Sequence, residues 1–143
     1  MKAQRRVTAR ALGIDVASGQ DRELFKWLLA SFLFGKRVQQ KVAVQAYKAL
    51  VEKHGCDSPR KLCSHSWQKL VDMLGEGHYV RYDESTAARL LQLCRKLEHD
   101  YGGSIRRLGE GSREDVEARL SEFNGIGPKT VEIFMREAGR VLH

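Results

Sequence analysis

The most informative stretch of the sequence is Phe123-Asn124-Gly125-Ile126-Gly127-Pro128-Lys129-Thr130. Its Gly-x-Gly core predicts a tight turn between two helices, because glycine accepts positive φ and leaves no side chain on the surface of the turn. Such a turn presents backbone N–H groups at the start of the following helix, where they bind anions, most often phosphate. A tight helix–helix corner without a ligand is the other interpretation of the same pattern.

Both flanks of this turn have the signals of helix ends. Ser112 is followed three residues later by Asp115, a capping-box pattern that predicts a helix over 112–122. Pro128 suits the first position of the next helix, where its missing N–H costs nothing. We therefore predict that two helices joined by a short turn occupy residues 112–140.

The eight residues of the turn resemble the helix-hairpin-helix of the endonuclease III-like superfamily of DNA glycosylases. In that superfamily the hairpin amides grip a DNA phosphate, and a lysine at the position of Lys129 is the nucleophile of the bifunctional members. The resemblance implies that the contacts to DNA come from Gly125, Ile126, Gly127, Lys129 and Thr130, and that Lys129 is the candidate catalytic residue. A plain phosphate contact is the alternative role of Lys129.

Composition agrees with a DNA partner. The chain has 143 residues, enough for one domain, with 25 Lys and Arg against 18 Asp and Glu and a net charge of +7. A basic chain of this kind binds polyanions, although a solvated basic surface is the simpler interpretation. No apolar run approaches the roughly 20 residues that span a bilayer, and no signal-peptide pattern opens the sequence. We therefore expect no membrane partner.

Three cysteines, Cys56, Cys63 and Cys94, are an odd number at wide spacing. This pattern favours reduced cysteines in an intracellular setting, the cytoplasm or the nucleoid. Zinc held by Cys56, Cys63 and His65 is a weaker alternative, because a fourth ligand is not evident. We predict no metal site.

Apolar residues recur at helical spacing through most of the chain and never alternate as in a strand. We predict an all-α fold, a compact bundle of six or seven helices that ends in the helix-hairpin-helix. Residues 1–20 are basic and form either a flexible arm or a short helix laid on the domain, and residues 21–143 form the single helical domain. The predicted helices cover 21–34, 38–54, a short stretch from 59 to 63, 66–74, 84–101, 112–122 and a last helix from 128.

Two other regions are candidate DNA contacts. In the resembling superfamily the join between the first two helices carries a residue, often Gln, that fills the gap left by a flipped base. That position corresponds here to Lys36 or Arg37, with Gln39 close by as a polar substitute. Farther along, Arg81 stands between Tyr79 and Tyr82, a mixture of cation and aromatic rings that favours single-stranded nucleic acid. Trp67, in contrast, has the helical spacing of a core residue.

The chain also departs from the superfamily pattern. The superfamily needs an Asp downstream of the hairpin helix, but residues 130–143 contain Glu132 and Glu137 and no Asp. Glu132 could pair with Lys129 one helical turn away, yet it does not match the family position. The four cysteines of the iron–sulfur cluster are also missing after the hairpin. We expect no cofactor, and a monovalent cation at the hairpin is left open.

These observations predict a DNA-binding protein of the base-excision-repair type that contacts duplex DNA without sequence preference. Two functional classes stay open. One is a weak DNA glycosylase or abasic-site lyase with Lys129 as nucleophile, and the other is a non-catalytic DNA-binding or adaptor module. A second copy or a protein partner could complete the site.

Overall fold

The computed structural model describes residues 6–142, and within them all regular structure is helical. This confirms the predicted all-α fold, with short helices raising the count over these residues to eight. The α-helices are α1 Asp21–Phe34, α2 Gln40–Tyr47, α3 Pro59–Cys63, α4 Trp67–Glu76, α5 Asp83–Tyr101, α6 Ile105–Leu108, α7 Arg113–Ser121 and α8 Pro128–Ala138.

Helix α1 is the centre of the bundle, as its wide apolar stripe predicted. Nine of its fourteen residues are buried, and it packs against α2, α6 and α8. Each large apolar side chain buried in this way contributes about 1.5–3 kcal/mol. Trp27 also donates its Nε1–H to the carbonyl of Phe134 at 3.2 Å, which links α1 directly to the last helix.

The second predicted helix is present, but its first residue and its second half differ from the prediction. Helix α2 begins at Gln40, two residues later than expected, and continues from Lys48 to Lys53 as a π-helix. The wider turn is visible in the bond from the His54 N–H to the Ala49 carbonyl, five residues back. Ala49 and Leu50 of this segment are buried.

The segment before α1 belongs largely to the domain. Two short 3₁₀ helices, Arg10–Leu12 and Val16–Ser18, lie there, and Leu12, Ile14 and Val16 are buried in the core. The Ala9 N–H donates to the Glu137 carboxylate at 2.9 Å. Of the two predicted alternatives, residues 9–18 therefore follow the helix laid on the domain. The basic residues Lys2 and Arg5 lie outside the described residues.

The expectation of reduced cysteines is wrong for two of the three. Cys63 at the end of α3 and Cys94 in α5 form a disulfide, with their Cα atoms 5.9 Å apart, and Cys56 is a buried free thiol. Helices α3 and α5 pack side by side, which is why two residues 31 positions apart meet. Between residues 6 and 142 no helix is long and apolar enough to cross a bilayer.

Candidate functional site

The helix before the turn begins as the sequence predicted. The Ser112 hydroxyl accepts the N–H of Asp115, and the Asp115 carboxylate accepts the N–H of Ser112, both at 3.1 Å. These two bonds satisfy amides that the first turn of α7 would otherwise leave unpaired. Val116 and Leu120 then anchor α7 in the core and bring its end to the turn.

Gly125 is required at the turn for two reasons. Its φ is +91°, in the left-handed region that side chains rarely adopt. A Cβ at this position would also lie 2.8 Å from Cδ of Arg89 and 3.1 Å from Cε2 of Phe32. The close packing of the turn on α1 and α5 therefore leaves no room for a side chain.

Gly127 has the opposite surroundings. Its φ of −103° is ordinary, and a Cβ there would have no other atom within 4 Å. Neither the backbone conformation nor the packing of this chain explains a glycine at position 127. Absence of a side chain is nevertheless what a close approach of another molecule to the backbone would need.

The start of α8 lies directly after Gly127 and is open. Gly127, Pro128 and Lys129 are all exposed, and no side chain caps the helix. The first amides of a helix have no intrahelical partner and carry the positive end of the helix dipole. The arrangement can thus accept an anion at the N-terminus of α8.

Ile126 and Thr130, which the resemblance assigned to DNA contact, have internal partners instead. Ile126 donates its N–H to the Phe123 carbonyl at 3.1 Å, and its side chain is buried. Thr130 is also buried, and a Cβ at Gly35 would collide with its hydroxyl. These contacts fix the turn and α8 against the end of α1.

Lys36 supports the turn from the join between α1 and α2. Its Nζ donates to the Gly125 carbonyl at 2.8 Å and lies 4.1 Å from the centre of the Phe32 ring. Burial, together with the nearby charge of Arg89, lowers the pKa of Lys36. On the other side of the turn, the Asn124 amide donates to Gln92 of α5 at 2.9 Å. The hairpin is therefore braced from two elements.

Lys129 is exposed on the first turn of α8 and forms no ion pair with any residue from 6 to 142. The suggested pair with Glu132 is therefore not formed. Lys129 and Glu132 instead line one cavity of about 600 Å³, which Lys36 and Arg136 also line. Sequence reasoning missed Arg136, although its position seven residues after Lys129 places both on one face of α8.

The remaining predicted contacts meet at a second concavity, of about 450 Å³, beside the first. It is lined by Arg37 and Gln39 from the α1–α2 join and by Arg81 from the loop before α5. All three are exposed. Lys36, which belongs to the first cavity, thus stands between the hairpin and this second group.

The loop that carries Arg81 is held in an unusual backbone conformation. His78 and Tyr82 both have a φ of 64°, which costs energy for residues with a side chain. Between them Val80 is 67 % exposed, and Arg81 lies 5.1 Å from the centre of the Tyr82 ring. The exposure of Val80 could not be predicted from the sequence, because a single valine in a loop belongs to no periodic pattern.

Two aromatic predictions are wrong. Tyr79, expected beside Arg81 at the surface, is fully buried, and its hydroxyl hydrogen-bonds to Thr86 at 3.0 Å. Trp67, expected in the core, is 39 % exposed. It lies at the first position of α4 and donates its Nε1–H to the Glu84 carbonyl at 3.0 Å.

Over residues 6–142 no cluster of three or more His, Cys, Asp or Glu side chains could hold a metal ion. The zinc alternative also loses Cys63 to the disulfide. Comparison with protein-family models, with curated proteins and with solved structures found no match for this chain. Any function must therefore be argued from the site itself.

Proposed function

We propose that this protein binds duplex DNA without sequence preference and grips one backbone phosphate at the turn 125–127 and the start of α8. The observation that carries the proposal is Gly127, where a side chain would meet nothing in the protein. An exposed, uncapped helix N-terminus follows it directly. A DNA backbone needs both features, a close approach and unpaired amides.

The charges around the turn support the same partner. Lys129, Arg37 and Arg81 are exposed on the two neighbouring concavities. Cations arranged in this way bind phosphates along a strand and release counterions, so the affinity falls steeply with salt. A role in the repair of damaged bases, in the cytoplasm or nucleoid, is the biological setting that this proposal favours.

The test is the salt dependence of binding to a short fluorescent duplex, measured by anisotropy. Lys129→Ala should lower the affinity and reduce the slope of log affinity against log salt by about one. Lys61→Ala is the matched control. Lys61 pairs with Asp57, which also pairs with Arg22 at the start of α1, whereas the hairpin packs against the other end of that helix. Equal slopes in wild type and Lys129→Ala would contradict the proposed contact, and no salt-dependent binding in any of the proteins would refute DNA binding.

A second function, abasic-site lyase activity, is favoured by the exposed and unpaired amine of Lys129 beside a cavity. Its Nζ would add to the C1′ aldehyde of an abasic sugar, and loss of water would leave an imine. Transfer of the C2′ proton to a base, here water, would then expel the 3′ phosphate, and hydrolysis of the imine would release the Lys129 amine. The sugar already offers the aldehyde, so this step needs less than cleavage of an intact base.

Borohydride trapping on a duplex with one abasic site separates the enzyme from the binding module. A covalent complex that forms with wild type and is lost in Lys129→Ala would establish the lyase. Absence of a complex, with salt-sensitive binding retained, would leave the alternative of a non-catalytic DNA-binding or adaptor module.

A further inference from the structure

The cavity beside the hairpin has more positive charge than one phosphodiester requires. Its lining carries four cationic side chains and a single carboxylate, that of Glu132; the cations are Arg6, Lys36, Lys129 and Arg136. A phosphodiester has one negative charge, whereas a phosphate monoester has about −1.5 to −2 at neutral pH. The excess of cations therefore favours a terminal phosphate.

Most of these cations are not committed elsewhere. Lys129 and Arg136 form no ion pair within the described part of the chain, in contrast to Arg113, which pairs with Glu117 at 3.3 Å. The Lys36 ammonium has three N–H donors, and one of them donates to the Gly125 carbonyl. The charges are thus available to a ligand.

The dimensions of the cavity suit a nucleotide more than an isolated phosphate. Lys129 and Arg136 lie seven residues apart on α8, which separates them by about 10 Å along the helix axis. Between them the lining includes the apolar side chains of Phe34, Val38 and Ile133 as well as the carboxylate of Glu132. Apolar surface of this kind can contact a sugar or a base while the cations hold the phosphate.

We infer that this cavity binds the phosphorylated end of a DNA strand, with the terminal phosphate monoester beside Arg136 and the adjoining phosphodiester beside Lys129 at the start of α8. The inference rests on the proposed DNA binding and adds a substrate class to it, a nicked or broken strand. Arg136 is the residue that distinguishes this site from the hairpin grip, since it lies away from the turn on the last part of α8.

The test compares three duplexes of one sequence: intact, nicked with a 5′-phosphate, and nicked with a 5′-hydroxyl. We expect a preference of about tenfold for the phosphorylated nick, the effect of one charge-assisted contact group. The preference should vanish in Arg136→Gln and return in Arg136→Lys. Arg60→Gln is the matched control, because Arg60 is exposed on α3 and the cavity does not include it.

A second arm distinguishes a DNA end from a free nucleotide. Deoxyadenosine monophosphate should displace the phosphorylated nick only weakly, and deoxyadenosine should not displace it. Equal affinity for the two nicked duplexes, with intact-duplex binding retained, would overturn this inference and leave the proposed function standing. If no duplex is bound at all, the proposed function fails, and the inference fails with it.

Discussion

At the scale of single residues, the two glycines of the hairpin have different reasons to be glycine. Gly125 combines a φ of +91° with neighbours that leave no space for a Cβ. Gly127 has an ordinary φ and open surroundings. The sequence pattern treats the two positions alike, because it shows neither the backbone angle nor the neighbouring side chains.

Gly127→Ala is therefore expected to separate binding from folding. The free energy of unfolding should stay unchanged or rise by up to about 1 kcal/mol, since alanine restricts the unfolded chain without straining the folded one. Duplex affinity should fall about tenfold, because the Cβ would hold the phosphate away from the amides. Gly125→Ala is the contrast, with an expected loss of about 1–3 kcal/mol in stability from its left-handed backbone. Denaturant unfolding and anisotropy measure the two effects, and full affinity of Gly127→Ala would contradict the proposed grip.

Lys36 allows a prediction about pH. Burial and the nearby charge of Arg89 lower the pKa of Lys36 in the folded protein below the usual value for lysine. The unfolded chain therefore binds more protons than the folded one as pH approaches that value, and the contribution of Lys36 to stability rises with pH. Wild type should gain stability relative to Lys36→Met as the pH rises toward about 10.4, the pKa of an unperturbed lysine. Parallel unfolding free energies of the two proteins over this range would show that Lys36 does not titrate as the structure requires.

At the scale of helices, periodicity predicted which face of each helix is buried. It did not predict how much of that face the neighbouring helices cover. The core face of α4 is correct at Leu70 and Leu74, while Trp67 on the same periodic face is 39 % exposed. Trp67 stands at the first position of the helix, where its Nε1–H donates to the Glu84 carbonyl at the start of α5. Tyr79 shows the converse, since this loop residue is fully buried and its hydroxyl bonds to Thr86, a partner that no local pattern identifies.

The capping box of α7 was readable from sequence because both of its residues lie within one helical turn. Ser112→Ala removes the hydroxyl that accepts the Asp115 N–H and should cost about 1 kcal/mol of unfolding free energy. Ser112→Asn should restore most of that loss, since Asn is also a favourable cap. Duplex affinity should stay close to wild type in both variants, because α8 and not α7 supplies the proposed amides. A large loss of affinity with little loss of stability would instead assign Ser112 to the interface.

At the scale of the whole molecule, the all-α fold could be predicted because it depends on local patterns repeated along the chain. Pairings between distant segments could not. The disulfide between Cys63 and Cys94 depends on α3 packing along α5, and the burial of Leu12 and Ile14 depends on the segment before α1 reaching the core. The candidate site divides in the same way: the hairpin was evident, whereas the cavity that joins Lys36, Lys129 and Arg136 required the arrangement of α2 and α8.

The cysteines provide the sharpest check on that global arrangement. Cys56 is fully buried, and burial together with Asp57 raises the pKa of its thiol to about 11. Because the thiolate is the reactive form, the native oxidised protein should take up no iodoacetamide. In denaturant Cys56 alone should react, and after reduction all three cysteines should.

Reduction should also lower the free energy of unfolding by about 2–4 kcal/mol, because the bond closes a long loop in the unfolded chain. Cys63→Ser/Cys94→Ser should match the reduced protein, and if three thiols react without reductant, α3 and α5 are not joined as described.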